Sequence, residues 1–151
     1  MAVLVSNKKA SFDYELLSNY EAGLVLLGHE VKALKNGQGS LKGAYISLRT
    51  KAGKSELYLI NAQISPYKYA GPLPDYNPLR DRKLLLKRQE INQLVGKKAV
   101  EGLTLIPLKI YTKHSFLKLE FALARGKKKH DKREAIKRRD VDRRLRSLIK
   151  R

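Results

Sequence analysis

The 151-residue chain carries 33 Lys and Arg against 14 Asp and Glu, a formal charge of +19, with 42% hydrophobic residues and no cysteine. That length suits one core plus an appended tail, and the hydrophobic share excludes a wholly disordered polycation. The lack of cysteine excludes disulfides, thiolate zinc sites, iron–sulfur clusters and cysteine nucleophiles, while a charge of this size calls for a polyanionic partner.

The first nine residues hold a short apolar run with no charged leader before it, so they do not read as a signal peptide. No apolar stretch approaches the ~20 residues that span a bilayer, and the chain reads as cytoplasmic. Residues 12–20 and 23–27 are strand candidates, broken near Glu21-Ala22-Gly23. A short helix is expected over 30–35, with Val31 and Leu34 on one face and Asn36-Gly37 as its stop. Residues 44–49 alternate, setting Ala44, Ile46 and Leu48 against Tyr45, Ser47 and Arg49, and a turn at 51–54 leads into a strand over 56–64.

The stretch 65–82 holds Pro66, Pro72, Pro74 and Pro78 and few aliphatics, which predicts a long irregular loop of the kind that often carries function. After Leu84-Leu85-Leu86, the spacing of Ile91, Leu94 and Val95 predicts a helix over 87–102, which Gly96 could kink. A second hairpin follows, 103–113 and 116–124, turning at His114-Ser115. Its first strand would send Ile106, Leu108 and Ile110 one way and Lys109, Tyr111 and Lys113 the other. Its second would send Leu117, Leu119, Phe121 and Leu123 inward, with Phe116, Lys118 and Glu120 outward. Pro107 lacks an N–H and belongs at an edge or a bulge. Short strands with few helices and no βαβ rhythm make the chain mainly β, a small antiparallel barrel flanked by short helices.

Lys109, Tyr111, Lys113, Phe116 and Lys118 on one strand face resemble a nucleic-acid platform, cations for phosphate and rings for stacking. The same alternation also describes an ordinary solvated sheet face. Catalytic motifs fail. His29-Glu30 opens like a zinc-protease helix, but Ala33 stands where the second histidine would, and Gly37-Gln38-Gly39 lacks the third glycine of a dinucleotide loop. No metal, cofactor or enzymatic reaction is expected. The 14 basic and 4 acidic residues from Arg125 to Arg151 put +10 on the tail and leave +9 on the rest, so both parts suit phosphate better than a membrane surface. Within the tail, Ile136, Val141, Leu145, Leu148 and Ile149 fall at helical spacing. It could be a disordered basic arm, or one that folds once phosphates neutralise it.

Taken in order, Asn7-Lys8-Lys9-Ala10, Tyr20-Glu21-Ala22-Gly23, Glu30-Val31-Lys32-Ala33-Leu34, Ile64-Ser65-Pro66-Tyr67, Asn77-Pro78-Leu79-Arg80, Arg82-Lys83-Leu84-Leu85-Leu86, Leu105-Ile106-Pro107-Leu108 and the run from Gly126 to Arg133 resemble the SsrA-binding protein family, SmpB, over nearly the whole chain. The resemblance implies an oligonucleotide-binding-like barrel over 1–125 and a basic tail over 126–151 that is helical on the ribosome. It implies a monomeric, non-enzymatic partner of the tRNA-like domain of transfer-messenger RNA (tmRNA), which reaches elongation factor Tu–GTP indirectly through aminoacylated tmRNA. On a stalled ribosome the tail would probe the empty mRNA channel and the ribosomal RNA of the decoding centre. By motif, Asn7, Glu21, Leu85 and Lys118, with Lys127, Lys128 and Lys129, match RNA-binding positions. His130, Asp131, Lys132, Arg133, Lys137, Arg138 and Arg139 match the ribosome-reading tail. Ile136-Lys137-Arg138-Arg139 is more basic than the family's usual continuation, and Asp140-Val141 stands where a bulky aromatic is common.

Overall fold

The computed structural model describes residues 2–99 and 102–127, together with Arg139 and Arg143. Strand β1 (Ala2–Ser6) leads into a one-turn helix α1 (Ala10–Asp13), then β2 (Tyr14–Leu24), α2 (Gly28–Lys35) and the short β3 (Gly39–Ser40). The hairpin β4 (Tyr45–Lys51) and β5 (Lys54–Ile60) is followed by β6 (Gln63–Ile64), β7 (Arg82–Leu85), α3 (Arg88–Lys98) and a long hairpin, β8 (Leu103–Lys113) and β9 (Phe116–Gly126). The strands β8, β4, β5, β7, β2 and β9 pair in that order and β9 returns to β8, closing an antiparallel ring. One edge of β8 faces β9. The other is shared, Lys109–Thr112 pairing with β1 and Leu105 with Ile46 of β4. A small β3–β6 ladder lies beside the ring.

Both hairpins turn on two residues with positive φ, Ala52 and Gly53 in one, His114 and Ser115 in the other. That is the turn geometry whose twist matches paired strands. Asn61 (φ 60°) ends β5 earlier than the alternation suggested, because the chain must swing out to pair Gln63–Ile64 with β3. Gly37 (φ 74°) stops α2 as expected, the Gly37 and Gln38 amides donating to the carbonyls of Leu34 and Ala33.

The core fills the ring. Leu57, Leu59, Leu105, Leu119 and Phe121 are fully buried there, closed over by Ala33 and Leu34 of α2 and Leu94 of α3. Each such large side chain contributes about 1.5–3 kcal/mol. A satellite cluster of Ala10, Ile106 and Ala124, with Tyr14, Leu16 and Leu108, lies under α1 on the outer wall.

The N-terminal apolar run, given no element from the sequence, is strand β1. Three expectations need correction. Residues 14–24 form one unbroken strand, since the backbone at Glu21-Ala22-Gly23 pairs with Glu120, Leu119 and Lys118 of β9. The third-helix span ends at Lys98 and runs through Gly96 without a break, while residues 100 and 101 lie outside the described residues. In β8 the register shifts between Pro107 and Lys109, which reverses the alternation. Ile110 therefore faces the main core, whereas Ile106 and Leu108 face the satellite cluster. Pro107 sits at this bulge, as its missing N–H requires.

Candidate nucleic-acid interface

Three of the residues singled out by motif meet on the outer wall. Gly23 of β2 is the Cα partner of both Leu85 on β7 and Lys118 on β9, and Lys118 faces Tyr111 on β8. A row Leu85–Gly23–Lys118–Tyr111 thus crosses four strands. Glycine at its centre leaves a trough, because a Cβ there would stand only 3.3 Å from Leu85 Cβ. The trough, about 460 Å³, is lined by Leu85, Lys118 and Phe116, with Leu24, Leu26 and Val31 behind them. Leu85 is 53% exposed and Phe116 68%, so two large apolar side chains stand in solvent beside a lysine. Among the described residues, no carboxylate lies within ion-pair distance of Lys118.

The Leu84-Leu85-Leu86 run therefore divides by strand parity. Leu84 enters the core and Leu85 faces out.

Glu21 stands one step along β2 from this row. The Tyr111 hydroxyl donates to its Oε2, and Lys113 Nζ is 3.4 Å from its Oε1. The Tyr111 bond, opposed by desolvation and helped by Lys113, holds the Glu21 carboxyl below its usual range. Burial and the same bond push the Tyr111 phenol above its own. Directly opposite Glu21, Glu120 accepts from Asn19 Nδ2 at 3.0 Å and pairs with Lys109 at 3.2 Å. The carboxylate is thus a positioning group for Tyr111 and Lys113. It also corrects the five-residue platform. Tyr111 points outward but is only 3% exposed, so its ring is closed to stacking.

The other predicted residues lie elsewhere. Asn7 donates its backbone N–H to the Leu108 carbonyl at 2.7 Å and its side-chain amide to that of Pro107 at 2.9 Å, satisfying the bulge in β8. It borders a second cleft of about 710 Å³ with Lys8, Lys9, Lys42, Tyr14 and Tyr45. Lys127 ties the end of the barrel to α1, its backbone N–H on the Asp13 carbonyl and its Nζ on that of Ser11. Arg139, exposed and helical, places its guanidinium 5.0 Å from the centre of the Phe12 ring. Lys128, Lys129, His130, Asp131, Lys132, Arg133, Lys137 and Arg138, and the apolar stripe of the tail, lie outside the described residues. Among the described residues no three His, Asp or Glu side chains gather as a metal site requires, and no helix is long and apolar enough to cross a membrane.

Sequence reasoning missed the strongest electrostatic feature. Glu30 and Arg82 are both fully buried and paired at 2.6 Å. Arg80 also pairs with Glu30, whose Oε1 accepts the Leu27 amide at 2.8 Å and so caps α2. Tyr76 puts its hydroxyl 2.9 Å from Glu30 Oε2 and 2.8 Å from the Ile64 carbonyl. Arg82 donates further to the carbonyls of Ala62 and Pro78. Burial raises the Glu30 pKa, but Arg80, the Leu27 amide and Arg82 outweigh it and hold the carboxyl down at about 2. Burial and Glu30 push the Tyr76 phenol up to about 12. The cluster clamps the 65–81 loop and β7, and with it Leu85, onto α2. The signal lay in Glu30, Arg80 and Arg82, which stand in three separate family fragments with nothing local to join them.

Comparison with known proteins agrees over nearly the full length. The SmpB protein family matches residues 4–151. The SsrA-binding protein of Mesoplasma florum is 47% identical over 141 residues, 93% of this chain and 92% of that protein. That of Gloeobacter violaceus is 48% identical over 149 residues, 99% and 95% of the two chains. A solved structure described as tmRNA-SmpB on a journey to the centre of the bacterial ribosome shares 42% identity. It superposes with a TM-score of 0.67 over 90% of this chain and 95% of its own. With its family signature running from the first strand to the last residue, this chain belongs to the SmpB family.

Proposed function

We propose that this chain binds the tRNA-like domain of tmRNA and helps bring it to stalled ribosomes for trans-translation, without catalysing a reaction and without a cofactor. The observation that carries this reading is the Leu85–Gly23–Lys118 trough. It offers an apolar wall to a sugar or base face, a cation to phosphate, and a rigid floor of paired strands. Glu21 supports it from behind, keeping Tyr111 and Lys113 in place. Relatives named for SsrA binding, and a related structure concerned with tmRNA and the ribosome, support the same assignment.

The finer division of labour is part of the proposal. The barrel, residues 1–125, holds tmRNA as a monomer, and elongation factor Tu–GTP joins only through the aminoacylated RNA. The net +9 tail, 126–151, reads the empty mRNA channel and the decoding centre, through His130 to Arg133 and Lys137 to Arg139. Truncation after Lys129 tests this. The shortened chain should keep its circular-dichroism spectrum and lose only a few-fold in tmRNA affinity, yet fail to support peptide tagging on ribosomes stalled without a codon. Tagging at the parent rate would overturn the tail's role, and loss of tmRNA binding would overturn the barrel's.

A further inference from the structure

The 65–81 loop, which the sequence marked as long and proline-rich, has no part in the trough. It is nevertheless firmly held. Its ends are tied by the Ser65 amide to the Gln38 carbonyl and the Ile64 amide to the Pro78 carbonyl, each 3.0 Å. Its C-terminal half is tied by Tyr76 and Arg80 on the buried carboxylate of Glu30, and the Ala70 amide closes a turn on the Tyr67 carbonyl at 3.1 Å. The part presented to solvent is aromatic and basic. Tyr67 packs partly against the main core. Tyr69 meets it edge-on, with ring centres 5.6 Å apart and planes at 71°, and is 72% exposed. Lys32 of α2 lies 5.8 Å over the Tyr67 ring and Lys68 lies 5.5 Å over that of Tyr69.

We propose that Tyr69, buttressed by Tyr67 and flanked by Lys68 and Lys32, is a second RNA contact that stacks one unpaired base. A lone exposed tyrosine needs no explanation. This ring differs in three ways. Its orientation is fixed by a second ring rooted in the core, cations stand within reach of the phosphates that flank a stacked base, and the loop beneath is already ordered. A base landing there orders little that is not ordered already. Base–aromatic stacking tolerates any sequence, so the site selects for unpaired nucleotides in a structured RNA, whatever their identity. It is separate from the trough and stands or falls independently of it.

The chain has no tryptophan, so Tyr69→Trp in the full-length protein installs a single reporter at an exposed position. Titration with an eight-nucleotide oligoadenylate at low salt should quench it. A duplex RNA of equal length and inorganic polyphosphate should bind without quenching. Tyr69→Ala should weaken oligoadenylate binding about five- to tenfold, Tyr69→Phe should bind within about twofold of the parent, and Lys68→Ala should flatten the salt dependence. Affinity of Tyr69→Ala for the isolated tRNA-like domain should match the parent, which separates this site from the Lys118 trough. The proposal is overturned if saturating oligoadenylate leaves the indole fluorescence of the Tyr69→Trp variant unchanged, if polyphosphate quenches equally, or if Tyr69→Ala binds oligoadenylate as the parent does. A patch that serves a protein partner would give the first of these results.

Discussion

Glu30→Gln keeps the shape of the side chain and removes its charge, leaving Arg82 fully buried and Arg80 partly buried with no anion between them. The amide also turns an N–H donor toward guanidinium donors. Breaking a buried pair in this way costs about 3–5 kcal/mol. The lowered pKa is of the same order. A fall from the ordinary 4.5 to about 2 corresponds to about 3 kcal/mol at about 1.36 kcal/mol per unit. Because the folded-state pKa is depressed, this stability is fully present above pH 4.5 and lost as pH falls toward 2. Urea unfolding followed by circular dichroism should therefore show a gap of about 3–5 kcal/mol between parent and Glu30→Gln at pH 7. The gap should narrow steadily between pH 4.5 and 2, the other carboxylates cancelling in the comparison. A gap below about 1 kcal/mol at neutral pH, or one that does not change with acid, would show that the cluster is not held by charge.

Lys118→Ala should weaken binding of the tRNA-like domain about three- to tenfold and lower the salt slope by about one, while stability changes by no more than about 0.5 kcal/mol. A large fall in melting temperature, with RNA affinity intact, would refute its outward role. Gly39→Ala would put a Cβ 2.6 Å from Leu34 Cδ2 and 3.2 Å from Val5 Cγ2, so it should destabilise by about 1–3 kcal/mol in the same unfolding assay. An unchanged midpoint would mean that the core relaxes freely there.

What the sequence revealed was whatever two adjacent segments decide between them. The β4–β5 and β8–β9 hairpins were legible because alternating side chains flank short turns. The inward set Leu117, Leu119, Phe121 and Leu123 follows from parity alone. Long-range features were not legible. Glu30 and Arg82 lie 52 positions apart, so nothing local signals their pairing. Pro107 marked an edge or a bulge in β8, but the reach of Asn7 across to Pro107 and Leu108, and the side to which Ile106 and Leu108 turn, were not legible. Glu21-Ala22-Gly23 looked like a break because its meaning is a three-strand crossing with Leu85 and Lys118. Of the site, the residues were named by resemblance, but only the closed ring shows that Glu21, Leu85 and Lys118 adjoin one another while Asn7 does not.

Closure of the ring also sets when the protein can fold. Strand β2 finds its long partner only in β9, and β1 only in β8, with sequence separations of 101 for Asn19 and Glu120 and 110 for Ala2 and Thr112. Contacts this distant carry a loop-closure cost before they return any stability, which slows folding. As the chain emerges from its own ribosome, β4–β5 is the one long hairpin that can form early. Strand β1 must wait until residue 112 is free, and the long ladder of β2 until residue 126 is. The barrel is therefore a late, concerted product of synthesis, completed only when its last strand arrives.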